Sequence, residues 1–385
     1  MLLVATGCTA GDPGAKPGPG SDAESGIELI PEQVRDEYMG VADFYEIATN
    51  PYENWTPPAP PWKLCYNDSY AGNSWRQAGL AQAEALNQQL IDAGLSKGDL
   101  NVTNADNDIN TQVSQLNNQV SQGCQVIFTQ PASSTGLCSA IDNAFKQNVL
   151  VITIVGPADC KNVINTSLND YKVGYESAKW LGSAVDKGNV LLVTGIPGAT
   201  ANEARVAGVK AALKEQSGVN IIGEVAGSWT PSTAKTEVLK FLSTHPQEIK
   251  GVWQAGLMMP ATGDAFLQLG RDLPPITGLV GECSELAYWK KNGMSSTGYN
   301  QGGAPAIYEA FYVANRMLAG GKPVSNLLLY PLPTINDDNL DKWWTSDMTV
   351  TSTCDSTPPN NKAVDDSYWD QLFVGGDKPA LVLKP

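Results

Sequence analysis

The sequence predicts an α/β protein built as two lobes, each a parallel sheet wrapped by helices, with a ligand cleft between them. Three observations carry that prediction. Short apolar strands alternate with helical patterns from residue 62 onward, the signature of right-handed βαβ units. The alternation restarts after residue 167, so two halves of similar construction follow one another. The 385 residues are also many for one compact core and comfortable for two, at about 100–200 residues per domain.

In the first half, residues 62–66 form a short apolar run. The polar loop Asn67-Asp68-Ser69-Tyr70-Ala71-Gly72-Asn73 then opens a helix to Leu90, with Leu80, Ala83 and Leu86 at helical spacing. Residues 101–103 read as a weak strand. Residues 108–121 read as a helix with Ile109, Val113, Leu116 and Val120 on one face. A strand at 125–130 precedes a helix at 133–147 for which Ser133 or Ser134 is the candidate cap. Residues 149–155 are apolar but for Thr153, as a strand covered on both faces should be.

The second half repeats the pattern. A helix at 171–185, a strand at 189–194 and a helix at 200–215 burying Val206, Val209 and Leu213 lead into a strand at 219–225. Thr230-Pro231 places a cap and then a proline at the start of a helix running to about residue 244. Strands at 251–254 and 276–280 flank a helix at 261–269. Residues 296–299 extend into Gln301-Gly302-Gly303, and a helix at 304–318 follows. Open α/β sheets bind ligands beyond the carboxyl ends of their strands, so two facing sheets put both sets of loops on one cleft.

Composition narrows the function. The chain is 42% hydrophobic and 17% charged, with a formal net charge of -15. An acidic surface repels phosphate backbones and argues against a nucleic-acid partner. His245 is the one histidine and precedes a proline in a turn, which leaves little room for histidine catalysis or a histidine-rich metal site. No GxSxG, GxGxxG or phosphate-loop lysine follows a strand, and no paired carboxylates stand in a motif, so neither a cofactor nor an enzyme activity is expected. Residues 104–108 (NADND) alternate oxygens like a calcium loop but lack its later Gly and Glu, and read as a solvated turn.

The N-terminus reads as an export signal. An apolar stub, residues 1–7, ends in small residues before Cys8, like the end of a lipoprotein signal peptide whose cysteine is acylated. Residues 1–8 are therefore expected to be a partial signal with an acylated Cys8, and 9–60 a flexible tether and leader, Gly- and Pro-rich up to residue 26. Six further cysteines suggest disulfides in an exported chain. Sequence proximity pairs Cys138 with Cys160 and Cys283 with Cys354, and buried free thiols remain the alternative.

Several segments in this order carry a resemblance: Thr129-Gln130-Pro131-Ala132-Ser133, Gly195-Ile196-Pro197-Gly198 with Asn202, Arg205 and Gly208, Gly227-Ser228-Trp229, Val252-Trp253-Gln254, and Tyr299-Asn300-Gln301. With the loop at 66–75 they resemble the ribose-type, type I periplasmic solute-binding proteins of bacterial ABC sugar importers, over residues 62–340. The resemblance implies two Rossmann-like lobes joined by three interlobe crossings. The first lobe would hold residues 61–167 and 302–325, the second 168–301 and 326–350, with 351–385 as a C-terminal tail that wraps the lobes or is stapled through Cys354.

It also implies the role: a monomeric receptor outside the membrane, lipid-anchored, that closes on a small polar molecule and delivers it to a membrane permease. The implied ligand set is Asn67, Tyr70, Asn73, Ser74 and Trp75 on the first loop, with Asn202, Arg205, Trp229 and Gln301. An indole suits a sugar's apolar C–H face, and the arginine fork orients two hydroxyls at once. The family's polar contacts fall here on Val155, Gly156, Ala255 and Val280, which argues against ribose itself. Gln130, Asp159, Gln254 and Glu282 are the candidates for supplying hydrogen bonds from shifted positions. A sugar or polyol is the expected ligand. A non-sugar metabolite and a chemosensory role on the same fold are the alternatives, and an exported sugar-modifying enzyme is the rival class.

Overall fold

The computed structural model describes residues 26–356, 362–376 and 378–385. Cys8, the signal stub and most of the Gly-rich tether lie outside the described residues.

The first lobe is built from β1 (Leu64–Asp68), α1 (Ser74–Asp92), β2 (Asn101–Asn104), α2 (Ile109–Ser121), β3 (Val126–Gln130), α3 (Cys138–Lys146), β4 (Leu150–Ile154) and β5 (Ile164–Ser167). The second runs through α4 (Asp170–Val185), β6 (Gly188–Thr194), α5 (Thr200–Lys214), β7 (Val219–Ala226), α6 (Pro231–Thr244), β8 (Gly251–Gln254), α7 (Met259–Gln268), β9 (Ile276–Val280), α8 (Cys283–Asn292) and β10 (Thr297–Asn300). The chain then returns through α9 (Gly303–Leu318), β11 (Lys322–Pro323), β12 (Leu327–Leu329), β13 (Thr334–Asn336), α10 (Asp366–Asp370) and β14 (Phe373–Val374).

Two six-stranded sheets result, ordered β12-β5-β4-β3-β1-β2 and β13-β10-β9-β8-β6-β7. Every pairing in them is parallel except β10 with β13. Strands β1, β3, β4, β8 and β9 are buried along their whole length, as helices on both faces require. The chain passes between the lobes after β5, after β10 and after β12. Tyr330 N donates to Ser167 O and Asn300 N to Pro333 O, so the three connections lie side by side.

Three expectations change. Residues 26–60 are not a tether: Ile30, Val34, Tyr38, Val41, Tyr45, Ile47 and Tyr52 are buried in the first lobe's core. Their apolar and tyrosine side chains supply the apolar surface for burial that the Gly- and Pro-rich composition up to residue 26 does not suggest. The third crossing also falls later than residue 326, because Leu327–Leu329 is an edge strand of the first sheet, parallel to β5. Finally, α3 starts at Cys138, because Ser133 instead accepts from Gly136 N (3.1 Å) and closes a turn.

Two elements had weak sequence signals. Strand β5 reads Ile-Asn-Thr-Ser, and its Asn165 is buried by bonding to Thr153 and to the backbone of Ala158. Helix α8 buries polar and apolar residues alike, Ser284 and Glu285 among them, so no clean apolar stripe marks it. Cys138 pairs with Cys160 and Cys283 with Cys354, as proximity suggested, and Cys65 pairs with Cys124. The tail is held on both lobes. Ser356 N donates to Gly281 O in the second lobe, while Glu309 of α9 accepts from Ala363 N (2.9 Å) and Trp369 Nε1 (2.7 Å) in the first.

Candidate functional site

Between the carboxyl ends of the two sheets lies a cavity of about 410 Å³. The first lobe contributes Asn73, Trp75, Arg76, Gln130 and the loop 131–134, together with Val155 and Gly156. The second contributes Arg205, Trp229, the start of α5, Ala255 and Leu257, and Gln301 comes from a crossing. Both indoles reach the cavity because glycine lets their supports approach. A Cβ on Gly303 would sit 2.0 Å from the carbonyl oxygen of Trp75, so α9 and α1 meet backbone to backbone there. Trp75 Nε1 donates to Gln301 O at 2.9 Å. A Cβ on Gly195 would collide with the Trp229 ring at 2.4 Å, so that indole lies on bare backbone.

Arg205 is the most constrained side chain of the site, 4% exposed. Its Nε donates to Asp170 Oδ1 at 2.6 Å, Nη1 to Ala255 O at 3.0 Å and Nη2 to Gln301 Oε1 at 3.0 Å. Of five N–H donors, these bonds leave two for a ligand. The guanidinium also lies 5.7 Å from the Trp229 ring centroid, whose Nε1 shares the Ala255 carbonyl. Helices α4 and α5 bring Asp170 and Arg205 together through another close crossing, since a Cβ on Gly174 would fall 2.1 Å from Arg205 O. Burial pushes the Asp170 carboxyl up, and Arg205 and Tyr45 oppose that shift.

The first lobe repeats the theme more loosely. Arg76 pairs with Asp68, whose carboxyl burial likewise pushes up against the pull of Arg76. Arg76 also lies 5.6 Å from the Trp75 ring centroid. Asn73 accepts from Arg76 N at 2.9 Å as the cap of α1, and Gln130 donates to the Tyr66 hydroxyl at 2.9 Å. Three cavity residues other than glycine hold positive φ: Val155 (48°), Trp229 (51°) and Leu257 (64°). Such conformations are costly, above all for a β-branched residue, and persist where surrounding packing imposes them.

Of the twelve expected ligand residues, Asn73, Trp75, Gln130, Arg205, Trp229 and Gln301 line the cavity. The other six do not. Asn67 is buried in β1, bonded to Thr103 and Thr129. Tyr70 is 37% exposed on the outer loop. Asn202 turns away to accept from Gly195 N at 2.6 Å. Gln254 faces the opposite side of β8 from Ala255 and donates to Leu279 O and Glu285. Glu282 closes a capping box with Glu285 and accepts from the Ser74 hydroxyl, so Ser74 and Glu282 join the lobes instead of lining the cavity. Asp159 lines a neighbouring cavity of about 230 Å³.

Val155, Gly156 and Ala255 do line the site, whereas Val280 lies in the second lobe's core. The expected ligand set left out Arg76, whose nearness to Asp68 was legible but tied to no catalytic motif, and Asp170. The i, i+8 spacing of Asp68 and Arg76 across a strand and a helix start was a readable signal for the first. Nothing in the sequence tied Asp170 to Arg205.

The comparisons agree with this architecture. A family model described as a periplasmic binding protein domain matches residues 68–322, about two thirds of the chain. A xylitol-binding protein of Mycolicibacterium smegmatis is 22% identical over 240 residues, 62% of this chain and 68% of that one. Among solved structures, an ABC transporter solute-binding protein of Thermobispora bispora superposes with a TM-score of 0.66 at 24% identity, covering 76% of this chain and 88% of that one. A periplasmic solute-binding protein of Actinobacillus succinogenes with bound D-allose gives a TM-score of 0.66 at 19% identity, over 73% of this chain and 100% of that one. With two parallel-sheet lobes, side-by-side crossings and a cleft at the strand ends, the chain belongs to the periplasmic binding protein family, in its type I architecture.

Proposed function

We propose that this chain is the extracytoplasmic receptor of an ABC importer, that it captures a neutral polyhydroxylated ligand, a monosaccharide or polyol, and that a membrane permease receives the closed form. One observation carries the ligand class. Both cations lining the cavity are already neutralised by buried carboxylates, Arg205 by Asp170 and Arg76 by Asp68. An anionic ligand would compete with those carboxylates, and an amino acid would need both a free cation and a free anion. A neutral polyol needs neither, only oriented donors and an apolar wall. The spare N–H groups of Arg205, with Gln130 and Gln301, give the donors, and Trp75 and Trp229 give the wall. The xylitol-binding and D-allose-bound relatives support the same class.

The six cavity-lining residues of the expected set are the ligand residues of this reading. The receptor acts without catalysis, as a monomer held at the outer membrane face by acylated Cys8. The lobes touch where Ser74 meets Glu282, and closure would add such contacts around the ligand.

A thermal-shift and calorimetric screen tests the reading. Pentoses, hexoses and alditols are expected to raise Tm by mass action, and free amino acids and sugar phosphates to leave it unchanged. A shift confined to charged ligands, or none from any neutral polyol, overturns it.

A further inference from the structure

We infer that Tyr45 and Asp170 are positioning residues for the ligand-facing arginine, so that the segment preceding the family's own fold is a working part of the binding site. The inference rests on the proposed role of Arg205. Tyr45 lies before the matched residues 68–322, in the stretch 26–60 that packs into the first lobe. Its hydroxyl crosses to the second lobe and donates to Asp170 Oδ2 at 3.0 Å, while Oδ1 of the same carboxylate holds Arg205 Nε at 2.6 Å. Asp170 is 0% and Tyr45 5% exposed, so water does not replace either partner.

The arrangement has a mechanical consequence. The Nε bond to Asp170, with the Nη1 and Nη2 bonds to Ala255 and Gln301, fixes rotation of the planar guanidinium, and that rotation decides where the two unpaired N–H groups point. A carboxylate held at both oxygens is itself fixed, whereas one held at a single oxygen can pivot and carry the arginine with it. The same segment clasps the whole first turn of α4. Asn169 Nδ2 donates to Glu37 O (2.9 Å) and Met39 O (2.8 Å), and Lys172 Nζ pairs with Asp36 and Glu37. Because Tyr45 belongs to one lobe and Asp170 to the other, this contact also ties the arginine's orientation to the lobes' relative placement.

A control is available within the same segment. Tyr38 donates its hydroxyl to Leu327 O and accepts from Leu329 N, an equally buried anchor whose hydroxyl bonds the first sheet and not Asp170 or Arg205. The experiment compares Tyr45→Phe and Tyr38→Phe in the full chain by two readouts. In the ligand-free protein, the NMR signal of the Arg205 Nε–H, identified by its disappearance in Arg205→Lys, reports the arginine's partner directly. Tyr45→Phe is expected to move it and speed its exchange with solvent, and Tyr38→Phe to leave it in place. With xylitol, D-allose and D-ribose as probes, Tyr45→Phe is expected to weaken binding roughly tenfold, the worth of one hydrogen bond to a charged group. Tyr38→Phe should lower Tm while keeping the dissociation constant within about twofold.

An Arg205 signal unchanged in Tyr45→Phe, or equal affinity losses in the two variants, overturns the inference. If the signal responds but none of the three probes binds wild type, the ligand proposal fails while the positioning geometry stands.

Discussion

Two Arg–Asp pairs face each other across the cleft, and they are not equivalent. In the second lobe, Arg205 is 4% exposed with all three nitrogens bonded, and its Asp170 is held from the opposite side by Tyr45. In the first, the Arg76 side chain is 21% exposed and bonds through one nitrogen to Asp68, at the end of β1 across the loop that opens α1. One wall of the cleft is preorganised before a ligand arrives, and the other keeps an adjustable arm. For a receptor that closes, this division lets one lobe set ligand orientation and the other yield as the lobes come together.

The largest expected effect separates the pairs directly. Arg205→Ala leaves Asp170 buried without its cation, which costs roughly 3–5 kcal/mol of stability for a broken buried pair. Arg76→Ala should cost less, about 1–3 kcal/mol, because Arg76 is partly exposed, so water can take its place beside the buried Asp68 carboxylate, which also keeps its bond from Tyr70 N. Urea unfolding of the two variants measures both. Ligand binding should be lost in the first and only weakened in the second. Equal stability losses would erase the distinction between a fixed and an adjustable wall.

That distinction also marks what the sequence could and could not show. The strand–helix rhythm exposed both sheets, because apolar runs such as Leu150–Ile154 and Ile276–Val280 have no other use than burial. Arg205, Trp229 and Gln301 were legible because their motifs sit at strand ends, where open sheets place ligands. Gln254 and Ala255 exchanged roles because strand alternation turned the polar side chain into the core and left a backbone carbonyl to do the hydrogen bonding. Asp170 was invisible for a different reason. Its partners Tyr45 and Arg205 lie 125 and 35 residues away, and only the folded chain brings the three together. The leader was misread because its early Gly/Pro composition hid the buried tyrosines that follow.

A smaller effect contrasts carboxyls that have a cation with those that do not. Asp355 and Glu285 near the second lobe's crossing, and Glu309 in the first lobe, are held chiefly by backbone and indole N–H groups. Burial pushes Glu285 up to about 8 and Glu309 and Asp355 up to about 7. The folded protein therefore keeps protons that the unfolded chain releases near pH 4. Stability contributed by these groups is greatest below that pH and falls as pH rises toward 7 to 8. Asp355 is the cleanest probe, since Oδ2 accepts from Ala304 N at 2.9 Å while Oδ1 has no partner. Asp355→Asn keeps the first bond and removes the titration. Its Tm should fall less than wild type between pH 5 and pH 8, by a difference of a few degrees. Parallel profiles would mean that Asp355 does not titrate in that window.

The smallest effect tests the rim. Ser74 and Glu282 make a single hydrogen bond between lobes, while Glu282 keeps its place through the capping box with Glu285. Ser74→Ala deletes the interlobe bond without disturbing α1, whose cap is Asn73. One such bond contributes about 1 kcal/mol, which bounds the expected loss of ligand affinity at roughly fivefold. Because the bond forms only when the lobes meet, the loss should appear in the dissociation rate, with the association rate unchanged. Stopped-flow tryptophan fluorescence resolves the two. A slower association instead would mean that the lobes meet before the ligand enters, and the first lobe's adjustable arm would then have no closing motion to serve.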